Sequence, residues 1–262
     1  MIAYPNVNPI ALDLGFVSIH WYGISYVIGV LVAWILLRYR AFHSQLSLDN
    51  EQIADLVFFA MLGIIVGGRL GSIIFYNFSY YLAHPLEIFF IHEGGMSFHG
   101  GLIGVIFSVW FFSYKRNISF FRITDFITPV IPIGLGCGRI GNFINGELWG
   151  SPSNLPWAMI FPDPAAGGIA RHPSQLYEAF FEGLVLFIIL WWFSRIPRPV
   201  RATSGLFLIF YGIFRFLIEF VRMPDQHIGY IAFNWLTMGQ LLTIPMIILG
   251  IVFFIMAYQA EK

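Results

Sequence analysis

Charged side chains are scarce in this sequence, and their scarcity excludes most soluble proteins. Asp, Glu, Lys and Arg make up 11% of the 262 residues, whereas an ordinary soluble domain has about 25%. A chain of this length cannot cover a water-facing surface with so few charges. Cysteine is scarcer still, and the single Cys137 excludes a disulfide-built scaffold. The zero net charge gives no indication of a nucleic-acid partner.

Several chemical motifs are also missing. The histidines do not follow the HExxH or HxH spacing of metal sites, so no metal is predicted. Neither a phosphate-cradling P-loop nor a dinucleotide-binding motif is present, and we expect no cofactor. The lone Cys137 is best interpreted as a small buried hydrophobe rather than a nucleophile.

Long apolar runs are what the sequence does contain. Hydrophobic residues make up 58% of the chain, which excludes disorder. About 20 apolar residues cross a hydrocarbon core about 30 Å thick, so the sequence predicts an all-α integral membrane protein with seven transmembrane helices, forming one domain over residues 1–262. The run Leu86–Ile91 is too short to cross and is predicted to be interfacial or re-entrant. The seven predicted spans are Phe16–Leu37, Ile53–Tyr76, Phe98–Tyr114, Ile123–Arg139, Ser174–Phe193, Gly205–Val221 and Leu236–Tyr258.

Basic residues orient these spans. Lys and Arg concentrate in the cytoplasmic loops of membrane proteins. The loops after spans one, three and five, together with the C-terminal tail, hold nine Lys and Arg residues, against two in the opposite loops. This difference predicts an N-terminus outside and a C-terminus in the cytoplasm. It also predicts that the loop segment 142–173, between spans four and five, lies on the outer side, which in a bacterial inner membrane is the periplasm.

Ionisable residues inside the predicted spans indicate a functional site. A charge at mid-bilayer costs at least about 2.5–3.5 kcal/mol, so it is a functional candidate by default. Counting along the helices places Arg69, Arg139 and His99 towards the outer face and Arg215 near the middle. We predict that these four side chains face a shared cavity. The alternative for Arg69 is that it anchors its helix end by reaching out to the interface.

Two charged pairs with a spacing of four residues have simpler alternatives. Arg215 and Glu219 are four residues apart and could merely pair on one helix face. Glu178 and Glu182 have the same spacing but the same charge, which is unfavourable unless each has a cation or a proton.

Three polar, glycine-rich stretches carry the remaining chemistry: residues 94–101, 138–150 and 171–178. In the first, glycines on both sides of His99 free its ring to face a cavity. The second stretch contains one arginine, two asparagines and one glutamate within thirteen residues, at the point where span four is predicted to leave the membrane. The planar fork of Arg139 suits a phosphate, and its asparagines can hold a hydroxyl or a carbonyl group.

The stretch 138–150, Gly-Arg-Ile-Gly-Asn-Phe-Ile-Asn-Gly-Glu-Leu-Trp-Gly, resembles the signature of bacterial prolipoprotein diacylglyceryl transferases. The resemblance covers essentially the whole chain in order, and the 138–150 motif is highly specific. Further matching blocks are residues 5–9, 20–23, 68–69, 99–101, 172–178, 211–222, 224–225 and 238–240.

The resemblance implies a transfer reaction between two membrane-embedded substrates. The diacylglyceryl group of phosphatidylglycerol passes to the thiol of the lipobox cysteine in a prolipoprotein signal peptide. A thioether forms and glycerol 1-phosphate leaves. Members of the family are seven-span enzymes of the bacterial inner membrane with the active site towards the periplasm, and they use no cofactor. The nucleophile comes from the substrate.

Family roles carry over to matching positions of this sequence. The resemblance implies catalytic roles for His99, Arg139 and Arg215, with His99 near the thiol and both arginines on the lipid headgroup. The positions implied in binding phosphatidylglycerol are Arg139, Arg215, Tyr22, Asn142, Glu147, Gly150, Tyr211 and Arg69.

The activation of the thiol stays open at this point. A thiol has a pKa of about 8.5 and attacks as the thiolate. Either His99 removes the proton or the positive field of the arginines favours the thiolate. Arginines on the phosphate would also stabilise the charge that grows on the leaving group.

Three other functions compete with this interpretation. A transporter or flippase also carries charges within the membrane, but here they cluster in one leaflet and no inverted repeat is visible. Another lipid-headgroup enzyme would need a metal–carboxylate set or an internal nucleophile. A seven-span receptor does not need such dense Arg, His and Asn chemistry at its outer face.

Overall fold

The computed structural model describes residues 2–5, 7–15, 17–43, 46, 48–90, 95–224 and 229–259. The predicted positions Phe16, Ile91, Gly94 and Asp225 lie outside the described residues. The described chain is mostly helical. Its α-helices are α1 Trp21–His43, α2 Asn50–Tyr76, α3 Phe78–Ala83, α4 Phe98–Arg116, α5 Phe120–Ile127, α6 Ile131–Asn145, α7 Ser174–Glu178, α8 Leu186–Phe193, α9 Ala202–Ile218 and α10 Met238–Gln259.

Two pairs of these helices form longer continuous stretches. A 3-10 turn at Thr128–Val130 joins α5 to α6. A π-helical segment at Ala179–Val185 joins α7 to α8. Short 3-10 turns also occur at Pro85–Phe89 and Pro164–Ala166.

Five helical stretches in the described part of the chain are long and apolar enough to cross a membrane. They are Trp21–His43, Asn50–Tyr76, Phe120–Asn145, Ser174–Phe193 and Met238–Gln259. Helix α9 is apolar but shorter. Helix α4 has 19 residues, but Lys115 and Arg116 occupy its last turn. The chain is therefore a mostly helical, multi-pass membrane protein, and the count of seven spans stays a prediction.

The predicted ends of two spans need correction. Span one was predicted as Phe16–Leu37, but α1 begins at Trp21 and continues to His43. Residues 18–20 form a strand, and the basic residues after the apolar run are still helical. Span four was predicted as Ile123–Arg139, but the helix runs on to Asn145. The first residues of the predicted loop 142–173 are therefore helical.

Three short antiparallel strand pairs accompany the helices, which the all-α prediction did not include. Each pairs two neighbouring segments of two to four residues, too short to show the alternation that predicts a strand. The strands are β1 Ile10–Asp13 with β2 Ser18–His20, β3 Met159–Ile160 with β4 Ala170–Arg171, and β5 Tyr230–Ala232 with β6 Leu236–Thr237.

The chain packs as two compact units, Met1–Leu36 with Ile127–Lys262, and Leu37–Phe126. In the first unit, glycines let helices touch through their backbones, as is common within membranes. A Cβ on Gly205 of α9 would lie 2.8 Å from the carbonyl oxygen of Gly250 in α10. The prediction of one domain over residues 1–262 stays a prediction.

The segment after α6 has a small hydrophobic core of its own. Its buried members are Trp149, Met159, Phe161 and Ala166. The ring of Tyr4 packs against Phe161 with centroids 5.2 Å apart. This core fixes the segment over the end of α6.

In the second unit, α2 and α4 pack through a glycine stripe formed by Gly63, Gly67, Gly71, Gly100 and Gly104. A Cβ on Gly71 would lie 2.6 Å from the Cα of Gly100, so the two backbones are in direct contact. Ser97 fixes the start of α4, because its side chain accepts from the Gly100 N–H at 3.2 Å. Its own N–H donates to the Gly68 carbonyl at 2.8 Å. These contacts define the position of His99.

Candidate active site

Arg139 of α6 and Arg215 of α9 meet at one carboxylate oxygen. The Nε of Arg139 lies 2.6 Å from Oε2 of Glu178, and Nη1 of Arg215 lies 3.1 Å from the same oxygen. Glu178 is the last residue of α7 and its side chain is 1% exposed. The structure therefore brings together the two arginines that the sequence predicted to share a headgroup.

Arg222 completes this group, which we call the arginine cluster: Arg139, Arg215, Arg222, Glu178, Glu182 and Glu219. Nη1 of Arg222 lies 3.2 Å from the second oxygen of Glu178. Nη2 of Arg215 lies 3.1 Å from Glu219, one helical turn away. Three arginines thus balance three glutamates, which compensates the cost of removing these charges from water.

Burial and the neighbouring charges of the arginine cluster affect the pKa of Arg222. Burial lowers the pKa of Arg222, and the neighbouring Arg215 adds to the shift, while Glu178 and Glu219 oppose it. Glu219 is held from the other side by Thr237, whose hydroxyl donates to Oε1 at 3.0 Å. Gly239 leaves room for this carboxylate, since a Cβ there would lie 2.6 Å from Oε1.

The donors of Arg139 are only partly used. Its Nε faces Glu178, and among the described residues its Nη groups make one long contact, to Oδ1 of Asn142 at 3.5 Å. The side chain of Arg139 is 23% exposed, compared with 1% for Glu178. One edge of the guanidinium is therefore anchored, and the Nη edge has donor capacity left for an anion.

Asn142 and Glu147 form a second polar group beside Arg139. Nδ2 of Asn142 donates to Oε1 of Glu147 at 2.8 Å, and Nδ2 of Asn145 donates to the same oxygen at 3.3 Å. The buried Gln175 donates to the backbone carbonyl of Glu147 at 2.5 Å. Glu147 therefore sets the orientation of Asn142, whose Oδ1 faces Arg139.

Gly150 is required where three backbone segments meet. Its N–H donates to the His172 carbonyl at 2.9 Å, and it pairs as an isolated antiparallel bridge with Arg222. A Cβ on Gly150 would lie 2.8 Å from the Cβ of His172 and still closer to the carbonyl oxygen of Val221. Gly150 thus places the backbone of Arg222 rather than contacting a substrate through a side chain.

His172 belongs to a short hydrogen-bonded chain. Trp157 donates to the Tyr177 hydroxyl at 2.7 Å, and that hydroxyl lies 3.2 Å from Nδ1 of His172. Burial lowers the pKa of His172 below its usual value. A neutral imidazole can accept a hydrogen bond from the Tyr177 hydroxyl at Nδ1, whereas a protonated one cannot, so this contact is compatible with the uncharged ring.

The two predicted tyrosines lie in the same unit as the arginine cluster. The hydroxyl of Tyr22 is 3.1 Å from that of Tyr26, and the backbone of Tyr22 is close to α6 at Gly141. Tyr211 lies one helical turn before Arg215 on α9 and stacks on Phe207 with centroids 5.5 Å apart. Both side chains are half-buried.

Arg69 and His99 lie in the second unit. Arg69 is 5% exposed, and its donors reach three backbone carbonyls: Ile88 at 2.9 Å, Glu87 at 2.5 Å and Gly95 at 3.4 Å. These contacts favour a structural role for Arg69, and its predicted headgroup role stays a prediction. His99 is the second residue of α4 and its side chain is exposed.

Within the residues that the structure describes, no group of three His, Cys, Asp or Glu side chains is placed to hold a metal ion.

The sequence profile of the prolipoprotein diacylglyceryl transferase family matches residues 9–256. The chain belongs to this family. Three similar proteins, each named phosphatidylglycerol–prolipoprotein diacylglyceryl transferase, match over nearly their whole length. The protein of Methylococcus capsulatus is 58% identical over 263 residues, covering 100% of both chains. That of Pseudomonas fluorescens is 54% identical, covering 99% of this chain and 97% of its own. That of Pseudomonas aeruginosa is 52% identical, covering 100% and 97%.

The family predicted from the 138–150 motif is therefore confirmed. Membership makes the chain a membrane transferase of the diacylglyceryl group, acting in lipoprotein biosynthesis. The enzyme class, rather than a transporter or a receptor, follows from this assignment.

Sequence reasoning missed the centre of the site. Glu178 contacts all three arginines of the cluster, yet it was not among the predicted site residues, and neither was Arg222. One signal was available: two like-charged residues at 178 and 182 require cations or a proton. Which arginines would supply the charge depends on tertiary packing, which the sequence alone does not display.

Proposed function

We propose that this chain transfers the diacylglyceryl group of phosphatidylglycerol to a lipobox cysteine and that the arginine cluster is the headgroup site. The observation that carries this proposal is the convergence of Arg139 and Arg215 on Glu178. Glu178 holds the guanidinium groups in place, and the accessible Nη edge of Arg139 receives the phosphate. Arginine suits this task because its donors form a planar fork.

The reaction that this site supports breaks a carbon–oxygen bond. The substrate thiolate attacks the glyceryl carbon next to the phosphate ester oxygen. A carbon–sulfur bond forms, and glycerol phosphate leaves with the electron pair of the broken bond. The negative charge that grows on the phosphate is stabilised by Arg139 and Arg215, which are preorganised and need no reorientation.

His99 is proposed as the base that takes the thiol proton. Its exposed imidazole lies in the first turn of α4, where the positive end of the helix dipole favours an anion such as a thiolate. The test is a pH–rate profile of His99→Gln. We expect a loss of about 10²–10⁴-fold at neutral pH, with the residual rate rising with pH because solution then supplies the thiolate. Loss of phosphatidylglycerol binding instead would make His99 a headgroup ligand.

The finer topology belongs to the same proposal. The charge distribution supports seven spans in a bacterial inner membrane, with α4 and α9 completing the five long stretches and the site facing the periplasm. Tyr22, Asn142, Glu147, Gly150 and Tyr211 are proposed to shape the headgroup site.

The deciding experiment uses purified protein, radiolabelled phosphatidylglycerol and a lipobox peptide in detergent or vesicles. A labelled thioether peptide together with released glycerol phosphate is the expected result. A labelled peptide formed equally well by an Arg139→Ala variant would reject the arginine cluster as the headgroup site.

A further inference from the structure

Glu182 differs from the other two glutamates of the arginine cluster. It is 1% exposed, and among the described residues neither of its carboxylate oxygens has a hydrogen-bond partner. Its nearest cation is Nη1 of Arg215, at 3.9 Å. That nitrogen is already 3.1 Å from Glu178. Glu182 is thus buried beside the headgroup arginine without being satisfied by it.

The backbone around Glu182 is unusual as well. The residue lies in the π-helical segment Ala179–Val185, and π-bulges within α-helices occur often at functional sites. The segment is pressed against α6 at Gly183, where a Cβ would lie 2.8 Å from the Cα of Gly136. This packing holds the Glu182 side chain in the cluster and leaves it little freedom to turn away.

The arginines balance the charge of Glu182, but its two buried oxygens still lack hydrogen-bond donors among the described residues. Leaving a buried acceptor unsatisfied carries the full desolvation cost, and more so for a charged group. Buried polar groups in native proteins almost always have a partner, which can be water or a ligand. Glu182 therefore needs hydrogen-bond donors that the described residues do not provide.

We infer that Glu182 accepts hydrogen bonds from the free hydroxyl groups of the glycerol headgroup of phosphatidylglycerol. This inference rests on the proposed headgroup role of Arg139 and Arg215. When the phosphate of the lipid binds Arg215, the hydroxyls of the glycerol attached to that phosphate are only a few bonds away from the guanidinium. Glu182 lies beside the same guanidinium, 3.9 Å from its Nη1. Hydroxyls are donors that suit a carboxylate, whereas Arg215 already donates to Glu178 and Glu219.

The consequence is selectivity for the headgroup rather than for the phosphate alone. A site with a buried group placed for a substrate hydroxyl strongly rejects an analogue that lacks it, because the buried group is left unpaired. A hydrogen bond to a charged group corresponds to a factor of about 10–100 in kcat/KM. Arg139 and Arg215 would bind any phosphodiester, and Glu182 would distinguish among them.

The test combines one substitution with one change of lipid. Wild type and Glu182→Ala are assayed with phosphatidylglycerol and with phosphatidylpropanol, whose three-carbon headgroup has no hydroxyl. We expect wild type to prefer phosphatidylglycerol by about 10–100-fold in kcat/KM, and Glu182→Ala to show a preference below about 3-fold. Glu182→Gln keeps the size and one acceptor oxygen, so its preference should be intermediate, and it serves if the alanine variant does not fold.

Glu219→Gln is the matched control. Its carboxylate already accepts from Thr237 and pairs with Arg215, so the variant should lower the rate with both lipids and keep the wild-type preference. An unchanged preference in Glu182→Ala overturns the inference and leaves water as the partner of Glu182. Failure of the wild type to label any peptide from phosphatidylglycerol would instead reject the proposed function.

Discussion

The half-buried Arg215 and the buried Arg69 are stabilised by different kinds of partner. Arg215 lies among the side-chain carboxylates of Glu178, Glu182 and Glu219. Arg69 donates to the backbone carbonyls of Glu87, Ile88 and Gly95, and its guanidinium lies over the ring of Tyr81 at 5.0 Å. Both arrangements give a guanidinium hydrogen-bond acceptors in an apolar setting, but they suit it to different roles, one structural and one in binding.

The kind of partner therefore helps to distinguish an arginine that binds a substrate from an arginine that has a structural role. Backbone carbonyls fix the path of the chain, so an arginine that binds them works as a cross-link between segments. Side-chain carboxylates balance the charge and leave the whole cluster near neutrality, so that an arriving phosphate meets preorganised donors. Charge in a span alone, the criterion used on the sequence, does not make this distinction.

The largest effect is expected for Arg139→Lys. Lysine keeps the charge but loses the planar pair of donors, so transfer activity should fall at least about 100-fold, as for removal of a transition-state donor. Arg116→Lys is the matched control, because Arg116 pairs with Asp55 at 2.8 Å and is 38% exposed. Turnover of Arg139→Lys close to that of the control would reject the headgroup role.

Glu178→Gln should have the next largest effect. It keeps the size of the side chain but leaves three arginines facing two carboxylates. Breaking a buried ion pair in this way costs about 3–5 kcal/mol, so the Tm in detergent should fall, and kcat/KM should fall about 10–100-fold because the guanidinium groups lose their anchor. Glu87→Gln, whose exposed carboxylate accepts from Tyr80, should change neither quantity. An active, equally stable Glu178→Gln would show that Glu178 is not the organising residue.

Arg69→Met should affect stability more than chemistry. It removes the hydrogen bonds to Ile88 and Glu87, at a cost of about 2–4 kcal/mol. Activity per folded molecule should stay within about 3-fold of wild type, measured together with the Tm. Loss of lipid binding with an unchanged Tm would restore the headgroup role predicted from the sequence.

The smallest effect is expected for His172. Burial lowers its pKa in the folded state below the unfolded value of about 6.5. The unfolded chain therefore binds a proton that the folded chain resists, and stability is lost as the pH falls below about 6.5. His172→Gln should flatten the acid side of the Tm profile below about pH 6.5 and leave the value at pH 8 nearly unchanged. An identical slope in both proteins would contradict this assignment.

Sequence reasoning succeeded where local signals were strong. The stretch 174–193 was predicted with the bounds that the structure has, because Pro173 stands just before its start and the apolar run 183–193 stops at Ser194 and Arg195. Its π-helical interior was not predicted, since apolar periodicity does not distinguish α from π turns. The strand pair before Trp21 was missed because it has only a few residues per strand.

Some members of the site could be predicted from the sequence, but the contacts between them could not. Arg139, Asn142 and Glu147 stand within one motif, so their proximity follows from the sequence. The contact between Arg139 and Glu178 joins separate helices, and two of the carbonyls around Arg69, those of Glu87 and Ile88, belong to a 3-10 turn that is distant from it in sequence. Such contacts depend on how helices pack, and 39 positions separate Arg139 from Glu178 (178 − 139).

The glycine stripe between α2 and α4 has a consequence for mutational tolerance maps. At Gly63, Gly67, Gly71, Gly100 and Gly104 an added methyl group meets the opposing backbone, so nearly every substitution should be rejected. On a growth-based map these positions would look as intolerant as Arg139. The cause would be a lower amount of assembled protein rather than slower turnover. A map that scores abundance and activity separately would show that substitutions in the glycine stripe lower the abundance of the protein, whereas substitutions in the arginine cluster lower its activity.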